Sequence, residues 1–190
     1  AYGIEVGCNM TVSGYVKNET AVRTHDPDEF LKIEHTAQLE AEYRISQNLH
    51  LFGILREFYD SVFDAESKYR QNRHLLCRTH GSDWLRELYL DYYSPAIDIR
   101  IGRQQVVWGT TVGMKILDIV NPDDQREYVL DDFADSRIPL WMIKAEWSPK
   151  VNGTLQFVFI PDFRNNFISP AGSPFTYRAV TLGAEKISKL

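Results

Sequence analysis

The chain holds 190 residues, with a formal net charge of -5 and 13% aromatic residues, enough for one domain or one small barrel. Its mild acidity, with no basic run and no interleaving of aromatic and basic residues, argues against a nucleic-acid partner. No apolar stretch approaches the roughly 20 residues of a membrane helix, an absence that says nothing against a membrane crossed by alternating strands.

The chain opens on "AYGIEV", without the basic start and apolar core of a signal peptide; it was either never exported or is written in mature form. A first strand is predicted over residues 11–23 and a second over residues 31–45. The second contains "KIEHTAQLEAEYRI", rich in helix formers. A helix needs apolar residues at three- and four-residue spacing, and Leu39 and Tyr43 lie off any such stripe. As a strand, the stretch puts Ile33, His35, Ala37, Leu39, Ala41, Tyr43 and Ile45 on one face and Lys32, Glu34, Thr36, Gln38, Glu40, Glu42 and Arg44 on the other. Helix propensity is worth only a few tenths of a kcal/mol per residue and is routinely overridden. The strand is preferred. At about 3.3 Å per residue it spans roughly 46 Å, far beyond the usual strand of about 5–6 residues. A long strand with one apolar and one charged face suits a barrel with lipid outside and water inside, or else a soluble sandwich whose charged face is solvated.

Further strands are predicted over residues 48–58, 84–93, 97–107, 140–147, 153–160 and 177–188. In residues 97–102, Ile97, Ile99 and Ile101 alternate with Asp98, Arg100 and Gly102; in "LWMIKAEW" an apolar face with Trp141 and Trp147 at its ends opposes Lys144 and Glu146. Indole at both ends of an apolar face is what two membrane–water interfaces select. "HLFGILREF" is apolar on both faces, so its inward side stays unassigned. Tight connections ("SQN", "SPA", "PKVNG") alternate with long ones at residues 60–83, 108–139 and 161–175. That rhythm is the one of outer-membrane barrels, with short turns at one end and long external loops at the other.

The runs "IRIGRQQVVWG" and "LDIVNPDD", with "SGYVKNETAVR" and "WLRELYLDY", resemble a family of Gram-negative outer-membrane proteins. That family is defined by a domain of unknown function and related to porin-like and alginate-export-like barrels. The resemblance covers most of the chain and implies an exported β-barrel, a passage for small or hydrophobic compounds. Members are longer, which implies that this chain is the N-terminal part of a larger barrel. Its end, "EKISKL", lacks the terminal aromatic residue such barrels carry for assembly.

The expected working surface is the polar face of the strands, with Lys17, Glu19, Glu34, Gln38, Glu40, Glu42, Arg44, Asp98, Arg100, Lys144 and Glu146 lining a lumen where rings of charge bias what passes. The alternative is that these charges only pair and fill a narrow barrel. Residues 108–139 are the expected constriction, folding back into the lumen with Arg103, Trp108, Asn121, Asp123 and Asp124; the alternative is an ordinary external loop. Arg103 has the parity of the isoleucines before it; either it lies beyond the apolar band or a bulge at Gly102 turns it inward. Asp118, Asn121, Asp123 and Asp124 offer oxygens to calcium without the EF-hand spacing, and His74, Cys77 and His80 are irregular soft ligands; no metal is expected from either. Cys8 and Cys77 make one disulfide or remain two free buried thiols. Asn9, Asn18 and Asn152 begin Asn-x-Thr triplets, with Asn18 inside a predicted strand.

No nucleophile elbow, phosphate loop or zinc-protease motif is present, so an enzyme is not expected and no cofactor is implied. The expected protein is all-β, an antiparallel up-and-down transmembrane β-barrel occupying residues 1–190. It acts in the bacterial outer membrane as a passive channel for an unassigned small solute. Outer-membrane lipid surrounds it, and other outer-membrane or periplasmic proteins are candidate partners. Two rivals stand beside this reading: a structural or partner-holding outer-membrane barrel, and a soluble secreted β-sandwich that binds carbohydrate.

Overall fold

The computed structural model describes residues 3–25, 28–108, 119–127, 134–149 and 153–176. Eight strands form one antiparallel sheet in which sequence neighbours pair, apart from a step over a short strand. They are β1 (Ile4–Val6), β2 (Met10–Arg23), β3 (Glu29–Arg44), β4 (Leu49–Asp60), β5 (Leu85–Tyr93), β6 (Ile97–Gln104), β8 (Leu140–Trp147) and β9 (Leu155–Phe159). The short β7 (Asp124–Gln125) pairs in parallel with β10 (Phe167–Ile168) away from that sheet. Seven of the predicted strands are thus present, and the alternation of "KIEHTAQLEAEYRI" does produce an extended strand, 16 residues long. The predicted strand at residues 177–188 lies outside the described residues.

Two features depart from expectation. Among the described residues β1 and β9 do not pair with each other, so the sheet is open rather than a closed barrel. The physical reason is visible at the edges: a three-residue β1 and a five-residue β9 offer little ladder for closure. The loops, moreover, are not bare connections. Residues 61–77 fold as α1 (Val62–Ala65), a 3-10 turn (Ser67–Asn72) and α2 (Arg73–Leu76). Val62, Phe63, Tyr69, Leu76 and Cys77 form a small core there that also covers Leu31 and Ile33 at the end of β3.

The tight turns gather at one end of the sheet. Arg44 N bonds Asn9 O, Tyr93 N bonds Asn48 O and Ser148 N bonds Ala96 O, linking each turn to its neighbour. The three long connections therefore leave from the opposite end, as their alternation in the sequence required.

Burial on this sheet is inverted relative to a soluble half-sheet. On one face Lys32, Glu34, Thr36, Asp91 and Gln104 are buried, while on the other Val16 is 85% exposed and Leu39 49% exposed. The exposed rows are mostly apolar, with Phe30, Tyr59 and Trp141 near the loop end, Leu39, Leu55, Ile101 and Phe157 between, and Tyr43, Tyr92 and Trp147 near the turns; Asn18, His35 and Glu57 interrupt them on β2, β3 and β4. The ambiguous β4 resolves the same way: Leu51 and Leu55 point out, while Phe52, Ile54, Arg56 and Phe58 share the face of Glu34 and Gln38.

Cys8 is exposed in the turn before β2 and Cys77 is buried in the loop core; both are free thiols. Cys8 sits beside the Met10–Tyr43 pair and Cys77 bonds Asp60, which pairs with Glu34. From Tyr43 to Glu34 is roughly 30 Å of strand, several times the reach of a disulfide. Maleimide labelling followed by mass spectrometry will find one modified thiol in the native protein and two after denaturation. Failure of the second thiol to appear on denaturation would reveal a bond that the fold forbids.

Candidate functional site

Cross-strand pairing puts all the expected lumen residues on the covered polar face. Glu19 lies opposite Glu34, Gln38 opposite Arg56, Arg44 opposite His50, Arg100 opposite Lys144, and Asp98 opposite Glu146. Most charged side chains on this face pair, as charges away from bulk water must, while Glu42 and Arg44 near the turns are exposed. Arg100 takes Asp91 in a two-point grip at 2.6 and 2.8 Å while its guanidinium lies over the Tyr89 ring. Lys144 bonds Glu146 at 3.2 Å. Gln38 donates to Glu40 at 2.7 Å. Lys17 meets Glu19 at 2.9 Å. Glu42 reaches His50 at 3.4 Å, and Arg44 is exposed beside the turns.

The segment between β6 and β8 does cross this polar face. Residues 119–127 and 134–139 return over the ends of β3, β4 and β5, held at three points along the way. Glu127 meets Lys32 of β3 at 2.5 Å. Asp135 meets Arg56 of β4 at 2.5 Å. Arg86 of β5 donates to the carbonyls of Ala134 and Asp135 at 2.6 and 3.2 Å. Asn121 anchors the crossing: its Oδ1 accepts from Val106 N at 2.8 Å and its Nδ2 donates to Ile138 O at 2.9 Å. Asp123 and Asp124 form the strap's own pairing, with Asp124 N on Ser136 O and Phe167 N on Asp123 O. Trp108 stands apart at the end of β6, its Nε1 donating to Gln156.

Arg103 is settled by its neighbour. No register shift interrupts the pairing of β5 with β6; instead Gly102 adopts φ +141°, and a Cβ there would sit 2.2 Å from Leu88 O. Only glycine permits that approach. Beyond it Arg103 is 3% exposed and donates to Ser82 O and to Asp83, at 3.1 and 3.0 Å.

Sequence reasoning put Lys32 on the charged face without singling it out, and missed Arg56, Arg86, Asp83 and Asp135. Arg86 is hidden for a definite reason: a register shift between Ile54 and Leu55 leaves it without a pairing partner. Arg86 and Glu87 consequently both turn to the polar face, where simple alternation sends Arg86 outward with Leu88. The signal available was two adjacent charges in "LRELYL", too slight to be read as a bulge.

These groups surround a cavity of about 430 Å³ between the sheet, the strap and the loops at residues 61–84 and 160–176. Arg56, Arg86, Arg103 and Arg164 line it together with Asp83, Asp135 and the apolar Phe58, Leu75 and Phe167. Burial would raise the Asp83 carboxyl, but hydrogen bonds from Arg164 and Arg103 outweigh it and hold that carboxyl below the usual range. Its pairs therefore stabilise the loop fully above the ordinary carboxylate range and are lost as pH falls through the depressed value.

Among the described residues no group of three His, Cys, Asp or Glu side chains is placed to hold a metal. His80 bonds His74 O and Cys77 is buried. Asp118, the first of the expected calcium oxygens, lies outside the described residues.

A model of the DUF1302 family, proteins of unknown function, matches residues 28–187. The chain belongs to the DUF1302 family. The match takes in β3 through β10, and with them the described strap, the cavity and the charged face apart from its β2 residues Lys17 and Glu19. No curated protein and no solved structure matches the chain. The site is therefore read from its own geometry.

Lys32 is the hub of the strap, with Glu19, Glu34 and Glu127 at 3.1, 3.8 and 2.5 Å. Replacing it leaves buried carboxylates without their cation, at a cost of about 3–5 kcal/mol. The Lys17–Glu19 pair, with side chains 36% and 39% exposed, contributes under about 1 kcal/mol. Thermal unfolding followed by circular dichroism will show Lys32→Ala far less stable than Lys17→Ala; equal losses would deny Lys32 its place.

Proposed function

We propose that this chain forms an outer-membrane β-barrel wall whose polar face lines a water-filled passage for small solutes, narrowed by the strap at residues 119–127 and 134–139. The inverted burial carries the reading. A sheet with charged residues covered and aliphatic rows bare fits lipid outside and water inside, and it fits a soluble half-sheet poorly. Aromatic side chains support it from both ends of the apolar band: Phe30, Tyr59 and Trp141 at one, Tyr43, Tyr92 and Trp147 at the other. Along β8, Trp141 and Trp147 stand roughly 20 Å apart, comparable with the roughly 25 Å apolar band of such barrels. Closure, by the two sheet edges or by further strands between them, is part of the proposal.

In this reading the sheet sets the width of the passage and the strap sets its narrowest point. Diffusing solutes meet paired charges over most of the wall, which keep water in the passage without binding tightly. Near the strap the fixed groups crowd together, and size and local field select there.

Two measurements test it. In planar bilayers the reconstituted protein gives stepwise conductance, and Asp135→Ala, which releases the strap from Arg56, enlarges the steps. An inserted protein that never conducts would overturn the passage and leave the structural or partner-holding barrel. On the outer face, Leu39→Arg at the middle of β3 costs about 2–4 kcal/mol of stability in lipid. A neutral effect there, with the protein folded and monomeric in detergent-free buffer, would favour the soluble rival.

A further inference from the structure

We infer that the cavity beneath the strap is a recognition site for a small amphipathic organic anion, a carboxylate carried on an apolar body. The inference deepens the passage reading, and rests on it only in taking the polar face as reachable by water.

Among the described lining residues seven arginines meet five carboxylates, a surplus of two positive charges, and four of those arginines share two of the carboxylates. Asp135 serves Arg56 at 2.5 Å and lies 3.8 Å from Arg86. Asp83 serves Arg103 at 3.0 Å and Arg164 at 2.7 Å. Arg86 spends its nearest hydrogen bonds on backbone carbonyls rather than on a carboxylate. Arg103 is 3% exposed, and its Nε has no hydrogen-bond partner although it is buried. A buried, charged donor left unmade is costly, and such clusters persist where an anion completes them.

The rest of the wall gives the other half of the ligand. Phe58, Leu75 and Phe167 contribute an apolar surface facing the arginines. The volume of about 430 Å³ suits a single small molecule, within the roughly 300–1,000 Å³ of ligand pockets. A bare inorganic anion would satisfy the arginines and leave the apolar wall wet. An apolar molecule without charge would leave the surplus cations unanswered. Only a ligand with both parts answers both walls.

Benzoate is the probe, measured by calorimetric titration of the detergent-solubilised protein, with acetate and benzyl alcohol as partial mimics. Benzoate is expected to bind saturably, acetate at least tenfold more weakly, and benzyl alcohol not at all. Arg103→Gln is expected to weaken benzoate at least tenfold. Arg164→Gln, on a partly exposed side chain whose loss leaves the sheet intact, keeps the question answerable if the first variant fails to fold, and is expected to weaken it severalfold. Benzyl alcohol binding as well as benzoate, or benzoate binding unchanged in the folded variants, would overturn the inference. The same preparation is placed in bilayers. Conductance without benzoate binding removes the anion site and leaves the passage; benzoate binding without conductance keeps the site and removes the passage.

Discussion

Charges on a covered face survive only in company, and the surroundings of Lys32 show how strongly that constraint shapes this molecule. Its ammonium sits between carboxylates from β2, from its own strand and from the strap. Glu34 and Glu127 lose most of their water in taking that place while Glu19 stays partly exposed, and the buried pair recovers part of the loss from the shared cation. The strap is therefore fixed to the sheet by ionic contacts at Lys32, Arg56 and Arg86 more than by apolar packing. Among the described residues, buried apolar side chains form two small clusters, one in the loop at residues 61–77 and one around Val106, Leu140 and Met142. Neither resembles the single continuous core of a soluble domain.

The same constraint explains why the loops converge. Long connections leave from one end of the sheet, where the polar face would otherwise meet open solvent. The segment at residues 61–77 closes over the rim through Ile33, Asp60 and Ser61. The strap and the β7–β10 pair then lie across the face, and Arg164 bridges to the first loop through Asp83. The resulting cavity has walls from three connections that are distant in sequence. Its cations come partly from strands, whose positions are fixed by the ladder, and partly from loops, whose positions are fixed by ion pairs.

Membership of the DUF1302 family ties the charged face and the strap to a set of sequences whose role is unassigned. What the geometry adds is chemical. The polar face is mostly self-neutralising along β2, β6 and β8, and becomes cation-rich only under the strap. A solute moving along such a face is held loosely until it reaches that point. Selectivity is then a property of a few residues and not of the whole wall.

The amino-acid sequence by itself determined most of the extended strands, the apolar side of those that alternate cleanly (β4 was left to the structure), and the end from which the long loops leave. Those follow from a period of two and from the spacing of turns, which are local properties of a chain. The order of pairing follows too, because tight turns force antiparallel neighbours together. Only the tertiary structure decided that Arg86 joins the polar face, since a bulge moves one residue without leaving a pattern behind. The same holds for Arg103, turned by the backbone of Gly102, and for the meetings of Glu127 with Lys32 and Asp135 with Arg56. Contacts between residues some eighty or ninety positions apart depend on where three loops come to rest, and no local period encodes that.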